Sequence, residues 1–228
     1  MRKRNKIALI IVMISILVML LINVQKIQQY DTYLKHENEN SISLILTMIH
    51  NNNEILKKYE ETGEITYAEL SRLGISYFNA ESELRDLQRQ LKYFMSKEEY
   101  NNENFNIIIS YFDGVSLFIT MDVFKGIGNH YPHMHNDELY ELTKDEKLIL
   151  GYIQRLNQEF IYVITEKGFI NNQPNGKMYN IDVDDSNGLS GLIELVDGLA
   201  NESENYLREL KNSDNSKIVE EFLLEVAY

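Results

Sequence analysis

The sequence contains no cysteine and no tryptophan among its 228 residues, and it contains only two prolines. The absence of cysteine excludes disulfides, zinc–thiolate and iron–sulfur sites, and thiol nucleophiles. Because Pro132 and Pro174 leave long segments without a break, the sequence favours helices over a turn-rich all-β fold. The motifs GxxxxGK[ST], GxGxxG, GxSxG, SxxK and HExxH are also absent, so none of the corresponding enzyme classes is indicated.

The charge of the chain is acidic and unevenly distributed. There are 35 acidic and 22 basic residues, which gives a net charge of −13. Four basic residues, Arg2, Lys3, Arg4 and Lys6, lie at the amino terminus, and no acidic residue comes before Asp31, so the rest of the chain is more acidic than the whole. An acidic surface repels nucleic acid, and we therefore expect no nucleic-acid partner.

An apolar run follows the basic amino terminus. Residues 7–24 read IALIIVMISILVMLLINV and contain no charge. At about 1.5 Å per residue they span roughly 27 Å, close to a hydrocarbon core of about 30 Å. The run is longer than the apolar part of a signal peptide, and no small-residue cleavage site follows it. We expect a single-pass signal anchor at 7–24 that contacts the lipid bilayer, with residues 1–6 cytoplasmic and 25–228 forming an extracytoplasmic helical domain of the cell membrane.

Two apolar series predict an antiparallel pair of helices after the anchor. A capping box, Thr66 to Glu69, starts the second helix, and only residues 62–65 separate it from the first. Packing within a bundle, or contact with a protein partner or a second copy through helices 41–61 and 67–94, would cover the two faces. The first face comprises Ile42, Ile45, Ile49, Asn52, Leu56 and Tyr59, and the second comprises Leu70, Leu73, Tyr77, Ala80, Leu84, Leu87 and Leu91.

Residues 105–124 have two interpretations. Asp113-Gly114 between apolar runs is typical of a β-hairpin. A helix is the preferred interpretation, because the polar residues of this stretch recur at helical spacing: Asn106, Ser110, Asp113, Ser116 and Thr120.

The remaining segments complete the predicted fold class. Apolar spacing predicts helices over 137–167, around 192–210 and from about Ser216, with a small irregular or β-like insertion at 171–188. The whole is therefore predicted to be all-α, with an N-terminal transmembrane helix followed by an extracytoplasmic multi-helix bundle.

A histidine cluster is the sharpest chemical feature of the sequence. His130, His133 and His135 lie within six residues of one another, and Asp137 and Glu138 follow. Imidazole and carboxylate groups suit a divalent transition metal, and three such ligands with one open position can form a catalytic zinc site. The alternative is a solvated loop in which Asp137 is the N-cap of the next helix.

A second acidic segment partly resembles a calcium-binding loop. Its residues are Asp182, Asp184, Asp185, Asn187, Gly188 and Glu194. No register of this segment places all the required ligands, so an Asx-rich turn before a helix is the preferred interpretation.

Three functions are compatible with these features. The first is an interaction or sensing module that works through partner contacts and needs no catalytic residues. The second is a metal-binding protein or metal-dependent hydrolase centred on the histidine cluster. The third is a structural component of a cell-envelope assembly.

The metal hypothesis predicts near-stoichiometric zinc, or another transition metal, in the purified untagged protein. The double variant His133→Ala/His135→Ala should lose that metal, because two of the three imidazole ligands are removed. Elemental analysis of both proteins measures the outcome, and a metal-free wild type with no thermal shift on adding zinc would refute the hypothesis.

Overall fold

A computed structural model describes residues 2–94, 101–123, 137–166 and 189–211. Nearly all of them are helical, and no strand occurs in these ranges, so the predicted all-α class is confirmed. The insertion expected at 171–188 and the helix expected from Ser216 lie outside the described residues. The elements are α1 (Arg2–Thr62), α2 (Tyr67–Phe94), α3 (Asn102–Leu117), a π-helical segment (Phe118–Val123), α4 (Lys144–Glu166) and α5 (Leu189–Lys211).

Helix α1 has two parts with opposite surroundings. It is continuous over 61 residues, which corresponds to roughly 90 Å of length. Its large apolar residues from Met13 to Val24 are exposed, whereas Ile42 and Ile49 are buried. Within the described chain, α1 is the one helix long and apolar enough to cross a membrane, and none of its apolar window is buried. A core helix of a soluble domain would bury such a window.

The predicted hairpin of α1 and α2 is confirmed. Gly63 ends α1 with a φ of 68°, and its N–H donates to the Tyr59 carbonyl at 2.7 Å. The capping box forms as expected, because the Thr66 N–H donates to Glu69 Oε2 at 2.9 Å and the Glu69 N–H donates to Thr66 Oγ1 at 3.2 Å. Apart from the half-buried Tyr59, every residue of the two predicted apolar series is buried.

The helix predicted within 105–124 is also confirmed, and Asp113-Gly114 lies inside α3 rather than in a hairpin. Its polar stripe has a structural explanation, because part of it faces α2. Ser116 Oγ donates to the Gly74 carbonyl at 3.1 Å, and Asn106 Oδ1 accepts from Gln88 Nε2 at 2.8 Å. The close approach at Gly74 leaves little room, since an added Cβ would lie 3.1 Å from the Ile119 side chain.

The predicted start of α4 at Asp137 was wrong. The helix begins at Lys144, and the preceding residues are extended. They form an antiparallel bridge with the α1–α2 turn, in which the Tyr67 N–H donates to the Glu138 carbonyl at 3.1 Å and the Tyr140 N–H donates to the Ile65 carbonyl at 2.8 Å. Asp137 is therefore not a helix cap, because its segment hydrogen-bonds to a distant part of the chain.

A second capping box starts α4 and was missed in the sequence. The Thr143 N–H donates to Glu146 Oε2 at 2.6 Å, and the Glu146 N–H donates to Thr143 Oγ1 at 3.3 Å. The signal was present, since Thr143 and Glu146 have the required spacing directly before an apolar helix face.

The five described α-helices form a closed bundle. Each packs mainly on two neighbours, in the order α1, α2, α3, α5, α4 and back to α1. The centre holds an aromatic cluster whose neighbouring rings lie between 5.6 and 6.2 Å apart, at the separations and tilts that aromatic pairs prefer. Its members are Tyr77, Tyr111, Phe112 and Phe160.

The two capping boxes predict matched losses of stability. Thr66→Ala and Thr143→Ala should each lower the free energy of unfolding by about 1 kcal/mol, because each removes the acceptor for a backbone N–H at a helix start. Urea unfolding of the full chain in detergent, followed by circular dichroism, measures the change. Thr165→Ala is the control, since Thr165 is exposed and bonds only to its own helix; a loss at Thr165 as large as at the caps would contradict the assignment.

Candidate functional site

The sequence-predicted metal ligands are only partly described. His130, His133 and His135 lie outside the described residues, and Asp137 is exposed in the extended segment before α4. One hydrogen bond links the described residues before and after 124–136: the Tyr140 hydroxyl donates to the Val123 carbonyl at 2.9 Å. The metal site thus stays a prediction.

The other candidate ligands form no described site. Within the described ranges, no group of three histidine, aspartate or glutamate side chains is placed to hold a metal. Of the calcium-loop residues, Glu194 is exposed on α5, and residues 182–188 lie outside the described ranges. The calcium hypothesis likewise stays untested.

A shallow cleft lies where the α1–α2 turn meets the extended segment before α4. Its volume is about 360 Å³, and it is lined by Gly63, Glu64, Leu139, Tyr140, Glu141, Leu142 and Lys147. Burial, together with the nearby Glu146 carboxylate, raises the pKa of Tyr140 to about 12. Tyr140 therefore stays protonated near neutral pH, where its hydroxyl bonds to Val123 and Glu146. The lining residues offer charge and hydrogen-bond contacts to a ligand, with no pair of nucleophile and base among them.

A second polar feature lies inside the bundle. We use the term buried polar layer for Asn52, Tyr77, Tyr111 and Asn157, which come from four different helices and are all buried. The Tyr77 hydroxyl donates to Asn157 Oδ1 at 3.1 Å. Asn157 Nδ2 in turn donates to the Ile49 carbonyl of α1 at 3.1 Å, so one amide connects three helices.

Burial controls the chemistry of this layer. It raises the pKa of Tyr77 well above the usual value, an effect that the polar groups of Tyr111 and Asn52 partly offset. Tyr77 is thus a neutral hydrogen-bond donor at physiological pH. Among the described residues, none forms a hydrogen bond of normal geometry with the side-chain amide of Asn52, although Asn52 is only 1% exposed. A buried amide without partners costs on the order of 1–3 kcal/mol, so this position does not favour stability.

The apolar series predicted from the sequence already included two residues of this layer, Asn52 and Tyr77. Asn52 was visible as a polar residue in an otherwise apolar helical face. Asn157 was missed, although it occupies a similar place in α4, at helical spacing between Ile153 and Phe160. A polar residue in a buried seam often sets the register and the partners of helices at some cost in stability. The layer therefore has the character of a packing determinant, with no group placed for catalysis among its four side chains.

The chain was compared with known proteins at three levels. No protein-family model matches the sequence, and neither a curated protein nor a solved structure matches it.

The hydrogen bond between Tyr77 and Asn157 can be tested with a double-mutant cycle. Tyr77→Phe and Asn157→Leu should each lower the free energy of unfolding by about 1–3 kcal/mol, because each leaves a buried partner unsatisfied. The double variant should lose less than the sum of the two single losses. Urea unfolding of the full chain in detergent provides all four free energies.

Asn52→Leu is the matched control for this cycle. It removes a buried amide that forms no hydrogen bond of normal geometry with any described residue, so it should leave stability unchanged or raised. Strict additivity in the cycle, or a loss at Asn52 equal to that at Asn157, would contradict the described hydrogen bonds.

Proposed function

We propose that this chain is a membrane-anchored module whose helical domain acts through contacts with partner proteins on the extracytoplasmic side. The observation that supports this proposal is the continuity of α1. The same uninterrupted helix carries an exposed apolar window and, further along, a buried face of the bundle. Residues 7–24 serve as the transmembrane anchor in this proposal, with residues 1–6 in the cytoplasm and 25–228 outside.

The exposed apolar window supports the membrane span. From Met13 to Val24 the large apolar side chains are 47–71% exposed. Such a surface in water costs about 25 cal/mol for every Å² of apolar area, and a bilayer removes that cost. The basic residues Arg2, Lys3, Arg4 and Lys6 favour a cytoplasmic amino terminus.

Continuity also supports an interaction or sensing role. α1 packs on α2 and α4, so it is an integral part of the bundle and not a detachable tether. A partner that changes the packing of the bundle would act directly on the helix that enters the membrane. An α-helix has no soft joint unless its hydrogen bonds are interrupted, and α1 runs through residues 36–40 without a break.

The proposed partner surface lies on the outer faces of helices 41–61 and 67–94. The apolar inner faces of both helices are used within the chain, because their leucines and isoleucines are buried in the bundle. Among the side chains of these helices that the structure describes, Phe78 on α2 is a large apolar one that is 57% exposed. The two helices carry acidic and basic residues in nearly equal number, so a partner of matching shape with charges of both signs suits this surface.

A role as a structural component of an envelope assembly uses the same anchor and the same surfaces, and it differs from the proposed role only in whether the contacts are permanent. A metal-dependent role rests on the histidine cluster, for which elemental analysis is the decisive measurement.

The proposed topology predicts opposite labelling of two positions. The chain has no cysteine, so single substitutions give unique labels. In intact cells a membrane-impermeant maleimide should label Glu61→Cys, near the exposed α1–α2 turn, and should leave Asn5→Cys unlabelled until the cells are opened.

The same cells provide the test of anchorage. The protein should stay in the membrane fraction after an alkaline carbonate wash, because the span is embedded in the bilayer. Labelling of Asn5→Cys and not of Glu61→Cys in intact cells, or release of the protein by the wash, would overturn the proposal.

A further inference from the structure

The part of α1 between the proposed span and the bundle has little cover from the described chain. We call residues 25–37 the stalk. Along α1 toward the bundle, Asn38 is the first residue that is described as buried. Three large side chains of the stalk are exposed to an unusual degree: Ile27 at 59%, Tyr30 at 54% and Tyr33 at 61%. An isolated helix gains nothing from exposed apolar groups of this size, so their arrangement needs an explanation.

The large apolar residues of the stalk favour one face. Ile27, Tyr30 and Leu34 follow a spacing of three and four residues, and Tyr33 lies beside Tyr30 on the edge of that face. The positions away from this face are polar: Gln25, Gln28, Gln29, Thr32, Lys35 and His36. This is the pattern of a coiled-coil seam, with Ile27 and Leu34 at a positions and Tyr30 at a d position.

The same spacing continues into the proposed span with one polar member. Leu20 takes the preceding a position and Asn23 the preceding d position. An asparagine amide at the end of a membrane span gains from a hydrogen bond to a neighbouring helix, because few other polar groups are available to it there. A second copy in the same register would place an identical amide opposite Asn23, and a polar residue within a seam fixes the register of the pair.

The charges of the stalk also fit a second copy of the same chain. In the register set by Ile27, Lys26 is at a g position and Asp31 is at the following e position. In a parallel two-stranded coiled coil, the g position of one helix lies opposite the following e position of its partner. Two copies in parallel would therefore match Lys26 with Asp31 twice, by symmetry, whereas an antiparallel pair would not make this match.

Lipid headgroups fit the pattern less well. Tyrosines are common at the membrane–water interface, but headgroups surround an emerging helix on every side. The large apolar groups of the stalk instead favour one face, and glutamines occupy the other. A one-sided apolar stripe with complementary flanking charges indicates another helix.

We propose that the stalk is a self-association surface, in which residues Ile27, Tyr30 and Leu34 pair with the same residues of a second copy in parallel. This proposal rests on the proposed membrane anchorage for the parallel orientation of the two helices. The contact differs from the partner surface of the bundle, so two copies could pair through the stalk while both bundles remain open to other proteins.

Oxidative cross-linking of single-cysteine variants of the full chain in native membranes tests the pairing. Ile27→Cys and Tyr30→Cys are on the proposed seam, and Gln28→Cys and Thr32→Cys are matched controls on the opposite face. With copper phenanthroline, the seam variants should give a covalent dimer several-fold more efficiently than the controls, because only seam positions bring two sulfur atoms together. Equal yields at all four positions, or no dimer at the seam, would overturn the proposal in favour of a lipid-facing stalk.

The charge match provides a second arm. In the Ile27→Cys background, Lys26→Asp should lower the dimer yield several-fold, because it places acidic residues opposite each other. Adding Asp31→Lys should restore the yield, because it recreates the opposite charges in reverse. No effect of either change would overturn the parallel register.

Two further outcomes separate this proposal from the anchor and from other partners. If the protein is absent from the carbonate-washed membranes but still shows the seam pattern, the anchor fails and the self-association stands. If the Ile27→Cys and Tyr30→Cys variants instead cross-link to a different protein, the seam has another occupant and the proposal fails.

Discussion

Helix α1 carries two kinds of surface along one uninterrupted backbone. Its amino-terminal part presents apolar side chains outward, and its carboxy-terminal part turns apolar side chains toward α2 and α4. Both parts belong to the same continuous α-helix. The residues of α1 that are buried therefore determine how the bundle is oriented around it. Helices α2 and α4 pack on this face, and α3 and α5 complete the bundle on the far side of these two helices.

The core of the bundle combines nonspecific apolar packing with a few specific polar contacts. Leucine and isoleucine faces supply most of the buried surface, and such faces tolerate alternative pairings of similar energy. The hydrogen bonds of Tyr77 and Asn157 disfavour such alternatives, because a helix in the wrong register would bury both groups without partners. Asn52 costs stability instead, because its buried amide forms no hydrogen bond of normal geometry with any described residue.

Local sequence signals predicted the first hairpin, and distant contacts explain the errors. The capping box at Thr66 and the apolar spacing of α2 depend on neighbours within a few residues, and both predictions were confirmed. The start of α4 was misplaced because residues before it bridge to the turn at Thr66, which is far away in sequence. In the same way, spacing could place Tyr77 and Asn157 on buried faces, but not reveal a bond between residues 80 positions apart. The histidine cluster remains a prediction, since its histidines lie outside the described residues.

The length of α1 also has a mechanical consequence. If the span ends near Val24, the helix continues to Thr62 and reaches roughly 57 Å beyond the bilayer core at 1.5 Å per residue. It then acts as a lever arm, in which a tilt of only about 5° at the membrane displaces the turn at Gly63 by roughly 5 Å. A small change in the angle of the span would thus move the turn, and the cleft beside it, by a distance as large as a side chain.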